Sequence, residues 1–407
     1  MSDAHKANFS AATHATATHA TVARAAALRS RLKASGPVQL VRAPGRVNLI
    51  GEYTDFNMGF ALPVAIDREV WLAFEPWERP EVELTSAELN ETRSFAFRGL
   101  APETRGAATW IDYVAGTAWA MSEAGLPLRG FRGVLDSTIP VGASLSSSAA
   151  LEMASSLALA DPQARRPAAA AMAAIAQRGE NGYVGVNCGI MDQFASAAGR
   201  KGQALLIDCL TNEAVTTQLP AALSIVVCDT GSPRRLDSSA YNTRRSECEL
   251  GVQLIAERAP GVRSLRDVDE AMLARLRDRL PENVARRCEH VVRENERVMA
   301  VVTALRDGDF EALGRLFAAS HASLRDLFEV SSYELDTMVE IAIGVPGVVA
   351  SRMTGGGFGG CTVSLVERGA EDALRERVLR DYPRRTGLSA RVFAVAAVDG
   401  AGELQIP

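Results

Sequence analysis

Residues 140–152 read PVGASLSSSAALE, in which a glycine and four serines stand directly before an alanine-rich segment. The apolar spacing that follows predicts a helix over residues 149–159, which ends near Asp161 and Pro162. The first N–H groups of a helix have no partner inside it, and the helix dipole favours an anion there. An ordinary loop with a capping serine, the alternative, needs one hydroxyl rather than four. The segment therefore predicts a phosphate-binding loop.

Upstream of this loop, residues 43–60 read APGRVNLIGEYTDFNMGF and combine glycines with charged and polar side chains. Arg46, Glu52, Asp55 and Asn57 crowd into this short segment. Polar groups placed among glycines and apolar residues are typical of a loop arranged around a polar ligand. The alternative is a pair of turns with an Arg–Glu contact on the surface.

Downstream, CGIMDQF (residues 188–194) places Asp192 in an otherwise apolar stretch, within residues 182–199 that we predict as a loop. A partly buried carboxylate destabilises a fold unless it is paired. Asp192 is therefore either a catalytic acid or base, or a capping residue. The local sequence leaves both interpretations open.

A second glycine-rich segment, MTGGGFGGCTVSL (residues 353–365), carries five glycines in six positions and leads into a strand-like run. Such a turn allows the backbone to approach a ligand or another loop closely. A merely flexible loop is the alternative, and the strand-like flanks disfavour it.

Length and composition limit the class of protein. The chain has 407 residues, of which 47% are hydrophobic and 23% charged, which predicts a globular protein of two domains. The formal net charge is -5, and a nucleic-acid or anionic-membrane partner would favour a basic surface instead. No apolar run reaches the roughly 18 residues that span a bilayer. We therefore expect neither nucleic-acid nor membrane partners.

The basic residues and the cysteines exclude several chemistries. The 44 basic residues include only three lysines, Lys6, Lys33 and Lys201, so neither a lysine-containing P-loop nor the strand lysine of protein kinases is present. The six cysteines form no CxxC pair, which predicts reduced thiols in a cytoplasmic protein. A catalytic cysteine is disfavoured, because only His290 and His321 could activate one outside the histidine-containing N-terminal tail. A metal-binding tail is the disfavoured alternative for that segment.

The remaining pattern predicts a mixture of helices and strands without an internal repeat. Helices are predicted at residues 22–34, 110–124, 149–159, 167–178, 238–257, 285–307, 310–327 and 332–343. Strands are predicted at residues 38–42, 69–74, 81–84, 131–137, 204–208, 223–229, 347–352, 361–366 and 390–396. This mixture indicates an α+β fold. We predict a disordered tail over residues 1–20 and domains over residues 21–215 and 216–407, with the boundary near residues 211–220.

Five segments together resemble the galactokinases, within the superfamily of galactokinase, homoserine kinase, mevalonate kinase and phosphomevalonate kinase (the GHMP kinases). They are GRVNLIGEYTDFN, PVGASLSSSAALE, CGIMDQF, SSAYNTRRSECE (residues 238–249) and RMTGGGFGGC (residues 352–361). The resemblance runs from about residue 41 to the C-terminal end. It implies a two-domain GHMP kinase fold with a ribosomal-protein-S5-like N-terminal domain and a ferredoxin-like C-terminal domain. The active site would lie between them.

The resemblance also implies roles for individual residues in ATP-dependent phosphorylation of the anomeric hydroxyl of D-galactose. Asp192 matches the general base, and Arg46 matches the arginine beside it that stabilises the transferring phosphoryl group. The sugar-binding positions implied are Glu52, Tyr53, Thr54, Asp55, Gly189 and Tyr241. The ATP-phosphate positions are Gly142, Ala143, Ser144, Leu145, Ser146, Ser147 and Ser148. Ser148 and Glu180 match ligands of Mg²⁺, the implied cofactor.

The sequence departs from the family pattern at two places. The usual sugar segment reads Glu-His-Thr-Asp-Tyr, whereas this chain has Tyr53 and Phe56 at the second and fifth positions. We expect a changed contact near one sugar hydroxyl. The phosphate loop carries Ala143 and Ser144 where glycines are usual, and because a serine disfavours positive φ, we expect its path to differ slightly.

Three functions remain open at this point. The first is galactokinase. The second is a related sugar 1-kinase for L-arabinose, N-acetylgalactosamine or galacturonate, which the tyrosine at position 53 keeps open. The third is a non-catalytic galactose sensor, which the intact SSSAA run and Asp192 disfavour. We expect the partners to be a small sugar and ATP, and the protein to be a monomer or a weak homodimer.

Overall fold

A six-stranded sheet organises the first half of the protein. The computed structural model describes residues 19–102, 109–140, 142–232 and 238–405. The strands of this sheet are β1 (Gln39–Asn48), β3 (Pro63–Trp77), β4 (Glu81–Ser86), β5 (Glu91–Ala96), β6 (Gly130–Ser137) and β13 (Gly402–Glu403). Their spatial order is β13-β1-β3-β6-β4-β5. Within it, β4 and β6 run parallel, and the other described pairs are antiparallel.

Alternate residues of this sheet bury themselves on opposite faces, as the period of a strand requires. Trp71 packs with Leu28 and Leu32 of helix α1 (His19–Leu32). Leu72 and Phe74 join the main core cluster on the other side. The helices of the first half that contribute to that cluster are α2 (Ile111–Glu123), α3 (Ser147–Leu159), α4 (Ala169–Gly179) and α5 (Met191–Ala198).

A four-stranded antiparallel sheet organises the second half. Its strands are β9 (Leu223–Asp229), β10 (Val348–Thr354), β11 (Cys361–Glu367) and β12 (Arg391–Val395), in the order β10-β11-β9-β12. A smaller sheet joins β2 (Phe60–Ala61), β7 (Gln203–Asp208) and β8 (Glu213–Gln218). The helices of this half are α6 (Ser238–Ala256), α7 (Glu270–Leu276), α8 (Glu282–Asp307), α9 (Phe310–Asp326), α10 (Tyr333–Ile343) and α11 (Glu371–Thr386).

The largest core cluster includes residues of both halves, so the two sheets share one continuous apolar interior. Leu72 of β3 and Val227 of β9 both belong to it. The neighbouring residue Val226 points the other way, into a separate cluster with Val378 of α11. The predicted mixture of helices and strands is therefore present.

Several elements differ from the sequence predictions, among them strands β2, β5 and β13 and helix α7, none of which was predicted. Residues 191–198, predicted as part of a loop, form helix α5. Helix α11 was not predicted, because its sequence is highly charged and buries only Leu374, Val378 and Tyr382. Residues 213–218, near the predicted domain boundary, form strand β8, which pairs with β7. The domain bounds stay a prediction, and residues 1–18 of the predicted tail lie outside the described residues.

An irregularity in β1 directs the strand toward the serine-rich loop. The register with β3 shifts between Pro44 and Arg46. A Cβ atom on Gly45 would lie 2.4 Å from the carbonyl oxygen of Leu145, so only a glycine allows this approach. The Arg46 N–H then donates to that same carbonyl at 3.1 Å. This contact brings the serine loop and the N-terminal polar segment together.

Candidate active site

A cavity of about 420 Å³ brings together the four segments that the sequence singled out. Fifteen of the sixteen predicted site residues line it: Arg46, Glu52, Tyr53, Asp55, Gly142, Ala143, Ser144, Leu145, Ser146, Ser147, Ser148, Glu180, Gly189, Asp192 and Tyr241. Gly355 and Gly356 of the second glycine-rich segment also line it.

Thr54 is the predicted site residue that does not line the cavity. Its side chain is fully buried, and its hydroxyl lies 2.8 Å from the carbonyl oxygen of Gly51 and 2.6 Å from that of Phe60. The assignment of Thr54 to the sugar-binding set stays a prediction. Its hydroxyl holds the turn that presents its neighbours.

Arg46 and Asp192, which both line the cavity, form a bidentate ion pair. Arg46 Nε lies 2.8 Å from Asp192 Oδ1, and Nη2 lies 2.9 Å from Oδ2. Arg46 Nη1 also donates to the carbonyl oxygen of Ser144 at 2.7 Å. Arg46 is 5% exposed. Its guanidinium group therefore links the Asp192 carboxylate to the serine loop inside the protein.

Ser146 adds a third contact to Asp192 that the sequence reading did not identify. Its hydroxyl donates to Asp192 Oδ2 at 2.6 Å. Asp192 lies in the first turn of α5, and Ser146 directly precedes α3. The two helix starts therefore face one another across the carboxylate. No local pattern in either segment predicts this contact.

The serine loop contains two non-glycine residues in the left-handed region. Ser144 has φ 60° and Ser146 has φ 59°. Ser144 therefore adopts the positive φ that is unfavourable for a serine, and the expected difference in the path of the loop stays a prediction. Each such residue costs about 1–2 kcal/mol, and the bonds to Arg46 and Asp192 hold this shape. Helix α3 begins at Ser147, two residues before the predicted start.

Behind the serines, Gln193 bridges two buried carboxyl groups. Its Nε2 donates to Glu152 Oε2 at 2.9 Å and to Glu180 Oε2 at 2.5 Å. Burial, together with the nearby charge of Asp192, raises the pKa of Glu180 to about 7. Burial and the charge of Glu180 raise the pKa of Glu152 well above its usual value. Glu152 and Gln193 were not predicted, although Glu152 lies one helical turn after Ser148 on the same face.

The oxygen atoms of this region suit a hard divalent cation. Glu152 is fully buried, and its Oε1 has no hydrogen-bond partner among the described residues. Ser148 and Glu180 both line the cavity. Within the described part of the chain, no group of three His, Cys, Asp or Glu side chains could hold a metal alone. Two protein oxygens fit Mg²⁺, which usually takes its remaining ligands from water and phosphates.

Asp55 and Gly189 meet in the wall of the cavity. A Cβ atom on Gly189 would lie 1.8 Å from Asp55 Oδ2, so position 189 has no room for a side chain. Burial, and then the charge of Asp192, raises the pKa of Asp55 to about 6. The Asp55 carboxyl group is thus nearly enclosed between a backbone segment and a like charge.

Glu52 belongs to a buried charge network contributed by distant elements. It forms an ion pair with Arg352 of β10, and its Oε1 accepts from the Gly355 N–H at 3.0 Å. Arg352 is 0% exposed and also donates to the carbonyl oxygen of Leu49 at 2.8 Å. Burial outweighs the effect of Arg352 and raises the pKa of Glu52. Arg352 was quoted within a motif but was not predicted as a site residue.

Family models match three parts of the chain. Residues 28–76 match the galactokinase galactose-binding signature. Residues 112–200 match the N-terminal domain of GHMP kinases, and residues 301–384 match their C-terminal domain. The fold and the site therefore define a two-domain kinase of the GHMP class, as the sequence resemblance implied.

Individual relatives specify the family further. A galactokinase of Roseiflexus sp. (strain RS-1) is 43% identical over 370 residues, which cover 90% of this chain and 93% of the relative. A galactokinase of Chloroflexus aurantiacus is 42% identical over 366 residues, which cover 90% of this chain and 93% of the relative. The crystal structure of Lactococcus lactis galactokinase complexed with galactose has a TM-score of 0.89 at 31% identity, covering 94% of this chain and 100% of that one. The chain belongs to the galactokinase family.

More distant structures share the fold alone. The mevalonate kinase of Methanococcus jannaschii has a TM-score of 0.61 at 17% identity, covering 90% of this chain and 100% of that one. None of the helices described here is long and apolar enough to cross a membrane.

Proposed function

We propose that this protein is a galactokinase, which transfers the γ-phosphoryl group of ATP to the anomeric hydroxyl of D-galactose. The products are galactose 1-phosphate and ADP. Membership of the galactokinase family and the match to the galactose-binding signature support this activity. The observation that carries the chemistry is the position of Asp192, which contacts both Arg46 and Ser146 in the cavity that the serine loop shares with the sugar segment.

Asp192 is the proposed general base. It accepts the proton of the anomeric hydroxyl while the sugar oxygen attacks the γ-phosphorus atom and the bond to ADP breaks. Arg46 is proposed to stabilise the charge on the phosphoryl group as it moves. The ion pair supports both roles, because it holds the carboxylate and the guanidinium in one place. Phosphoryl transfer depends mainly on such positioning and on neutralisation of charge.

The serine loop is the proposed seat of the ATP phosphates. Every residue from Gly142 to Ser148 lines the cavity. Helix α3 begins at Ser147, and its first N–H groups have no partner within the helix. Ser148 and Glu180 are the proposed protein ligands of Mg²⁺. The ion, when bound, neutralises phosphate charge. This arrangement replaces the lysine-based cradle that the sequence lacks.

The sugar is proposed to bind at the part of the cavity wall that the sugar segment, Gly189 and Tyr241 form. Glu52, Asp55 and Tyr241 supply polar groups there, and the absence of a side chain at Gly189 makes room for the Asp55 carboxyl group. Tyr53 lines the same wall. A cavity with few convergent polar groups suits a small polyhydroxylated substrate.

Two further proposals concern the location of the protein in the cell and its oligomeric state. None of the six cysteines forms a disulfide, which supports a cytoplasmic protein. We also propose a monomer or a weak homodimer, which light scattering after size-exclusion chromatography tests directly.

A coupled ADP-release assay with Mg·ATP tests the proposed function. The substrates are D-galactose, 2-deoxygalactose, N-acetylgalactosamine, L-arabinose, galacturonate and glucose, and the Asp192→Asn variant measures any contaminating kinase. We expect galactose to have the highest kcat/KM. If another sugar leads, the protein is a related sugar 1-kinase. If no sugar reacts while galactose still raises the Tm, it is a sensor.

A further inference from the structure

Two adjacent residues of the sugar segment hold two adjacent residues of the second glycine-rich segment. Glu52 Oε1 accepts from the Gly355 N–H at 3.0 Å, and the Tyr53 hydroxyl donates to the Gly356 carbonyl oxygen at 2.5 Å. In each bond, the donor and acceptor residues are 303 positions apart in the sequence. We call this pair of hydrogen bonds the glycine-loop clamp.

Tyr53 is held firmly for this contact. Its side chain is 4% exposed, and its backbone lies in the left-handed region with φ 66°. Its ring lies 4.5 Å from the Phe328 ring and 5.4 Å from the Tyr241 ring, measured between centroids. Aromatic rings at such distances attract one another beyond simple burial. The packing therefore fixes the phenol oxygen beside the Gly356 carbonyl group.

The glycine loop is anchored on its other side as well. The Phe358 N–H donates to the Val330 carbonyl oxygen at 2.8 Å. A Cβ atom on Gly357 would lie 2.1 Å from the same carbonyl oxygen. The loop is therefore packed between the segment that follows α9 and the sugar segment. The clamp fixes the side of the loop that lines the cavity at Gly355 and Gly356.

We propose that Tyr53 is a positioning residue that sets the sugar site through the glycine loop and does not donate a hydrogen bond to the sugar. This inference rests on the proposed function and deepens it. A phenol has one O–H proton, and here that proton lies on the Gly356 carbonyl. A histidine, which is usual in the family, has no atom as far from the backbone as the phenol oxygen. Tyr53 thus joins the two walls by a contact that an imidazole does not reach from the same backbone.

The clamp also bears on the sugar contact that the sequence predicted at position 53. The exchange of histidine for tyrosine suggested a changed contact near one sugar hydroxyl. With its proton on Gly356, Tyr53 has no donor that distinguishes one sugar hydroxyl from another. The preference among sugars then depends on the other groups of the wall, and Tyr53 affects all sugars alike.

The test combines Tyr53→Phe with a series of sugars that lack one group each. We would measure kcat and KM for D-galactose, 2-deoxygalactose, 6-deoxygalactose and L-arabinose with the wild type and the variant. Losing one hydrogen bond while the packing ring remains should raise every sugar KM by the same factor, about 3- to 10-fold, with kcat within about 2-fold. A factor that disappears for one analogue would show direct contact with the missing group and would overturn the proposal.

Tyr382→Phe is the matched control. Tyr382 is 0% exposed, lies in a different core cluster and donates to the Thr230 carbonyl oxygen at 2.9 Å. It loses the same kind of bond, so it reports what destabilisation alone does. We expect a lower Tm without a change in any sugar KM. An equal rise in KM for both variants would assign the effect of Tyr53→Phe to stability and would overturn the proposal.

A second readout does not depend on turnover. Hydrogen exchange of the amides of residues 355–360 should be faster in Tyr53→Phe than in the wild type or in Tyr382→Phe. Unchanged exchange and unchanged KM would both contradict the clamp. If the wild type phosphorylates no sugar, the proposed function fails, and the exchange rates alone decide whether Tyr53 holds the loop.

Discussion

Arg46 and Asp192 are 146 residues apart in the chain, yet they form a bidentate ion pair with nitrogen–oxygen distances of 2.8 and 2.9 Å. Arg46 comes from the irregular end of β1, and Asp192 from the first turn of α5. Both lie beside the serine loop, which adds the hydroxyl of Ser146. The pair therefore places a proton acceptor and a positive charge at the start of a helix suited to phosphate.

Replacement of Arg46 by alanine should lower kcat more than it raises the KM for galactose. The guanidinium is proposed to act mainly on charge that develops during transfer, and a group of that kind is worth about 10²–10³ in kcat. Steady-state kinetics with both substrates measures the split. An effect confined to the sugar KM would mean that Arg46 only binds. The control is Arg42→Ala. Arg42 lies in β1 like Arg46, and its replacement removes an ion pair with Glu69 of β3, so kcat should be unchanged.

Replacement of Asp192 by asparagine should remove most turnover and leave ATP binding largely intact. The amide keeps the size of the side chain but cannot accept the proton, and a general base contributes about 10²–10⁴ to the rate. Turnover and calorimetric titration with Mg·ATP measure the two properties. Turnover like that of the wild type would contradict the assignment. The control is Asp229→Asn, which alters a buried carboxylate paired with Arg391 outside the cavity.

Replacement of Gly189 by alanine should displace Asp55. The new methyl group would lie 1.8 Å from Asp55 Oδ2, so the carboxyl group has to move. A misplacement of about 1 Å costs about 100-fold in catalytic efficiency, and we expect a loss of that order in kcat/KM for galactose. Gly261→Ala, where a Cβ atom meets nothing within 4 Å, is the matched control. Equal kinetics of the two variants would show that Asp55 is not needed at this position.

The raised pKa of Asp55 predicts how stability depends on pH. The pKa rises from 3.8 to about 6 because of burial and the charge of Asp192. Between these values the unfolded state releases a proton that the folded state keeps, so stability decreases as the pH rises. The whole shift corresponds to about 3 kcal/mol.

Urea denaturation at several pH values measures this effect. From pH 4 to pH 7, the free energy of unfolding of Asp55→Asn should gain about 2 kcal/mol relative to the wild type, because the unfolded carboxyl group is already partly ionised at pH 4. The exposed Asp372→Asn is the control and should follow the wild type. A constant difference between Asp55→Asn and the wild type over this range would contradict the predicted shift.

Replacement of Arg352 by methionine should destabilise the fold strongly. It leaves Glu52 buried without its cation, and breaking a buried pair in this way costs about 3–5 kcal/mol. Arg315→Met is the control, because its pair with Glu311 is exposed on one helix and contributes about 0.3–0.5 kcal/mol. Chemical denaturation compares the two. Similar losses would mean that Glu52 finds other partners.

Much of the fold was visible in local patterns. The strand at residues 223–229 was predicted with the bounds it has, and the helix after the serine loop within two residues of its start. Helix α11 escaped because three buried residues among many charges give a weak apolar pattern. The eight residues of α5 are too few to show a helical period clearly.

The candidate site was likewise predicted only in part. The segments that build the cavity were identified from glycines, serines and isolated charges, whereas the sugar-binding and general-base roles came only from the family resemblance and stay predictions. Thr54 belonged to the right segment, but its hydroxyl faces carbonyl oxygens of the turn. The contacts of Ser146 with Asp192 and of Tyr53 with Gly356 had no local signal.

The sequence by itself determined which segments combine glycines, serines and isolated charges, and where a helix follows the serines, because backbone conformation and helix starts depend on neighbouring residues. Only the tertiary structure decided which of those groups meet. The positive φ of Ser144 and the burial of Arg352 against Glu52 both depend on partners far away in the chain. Hydrogen bonds and ion pairs act over a few ångströms, so packing of the sheets and helices selects the partners.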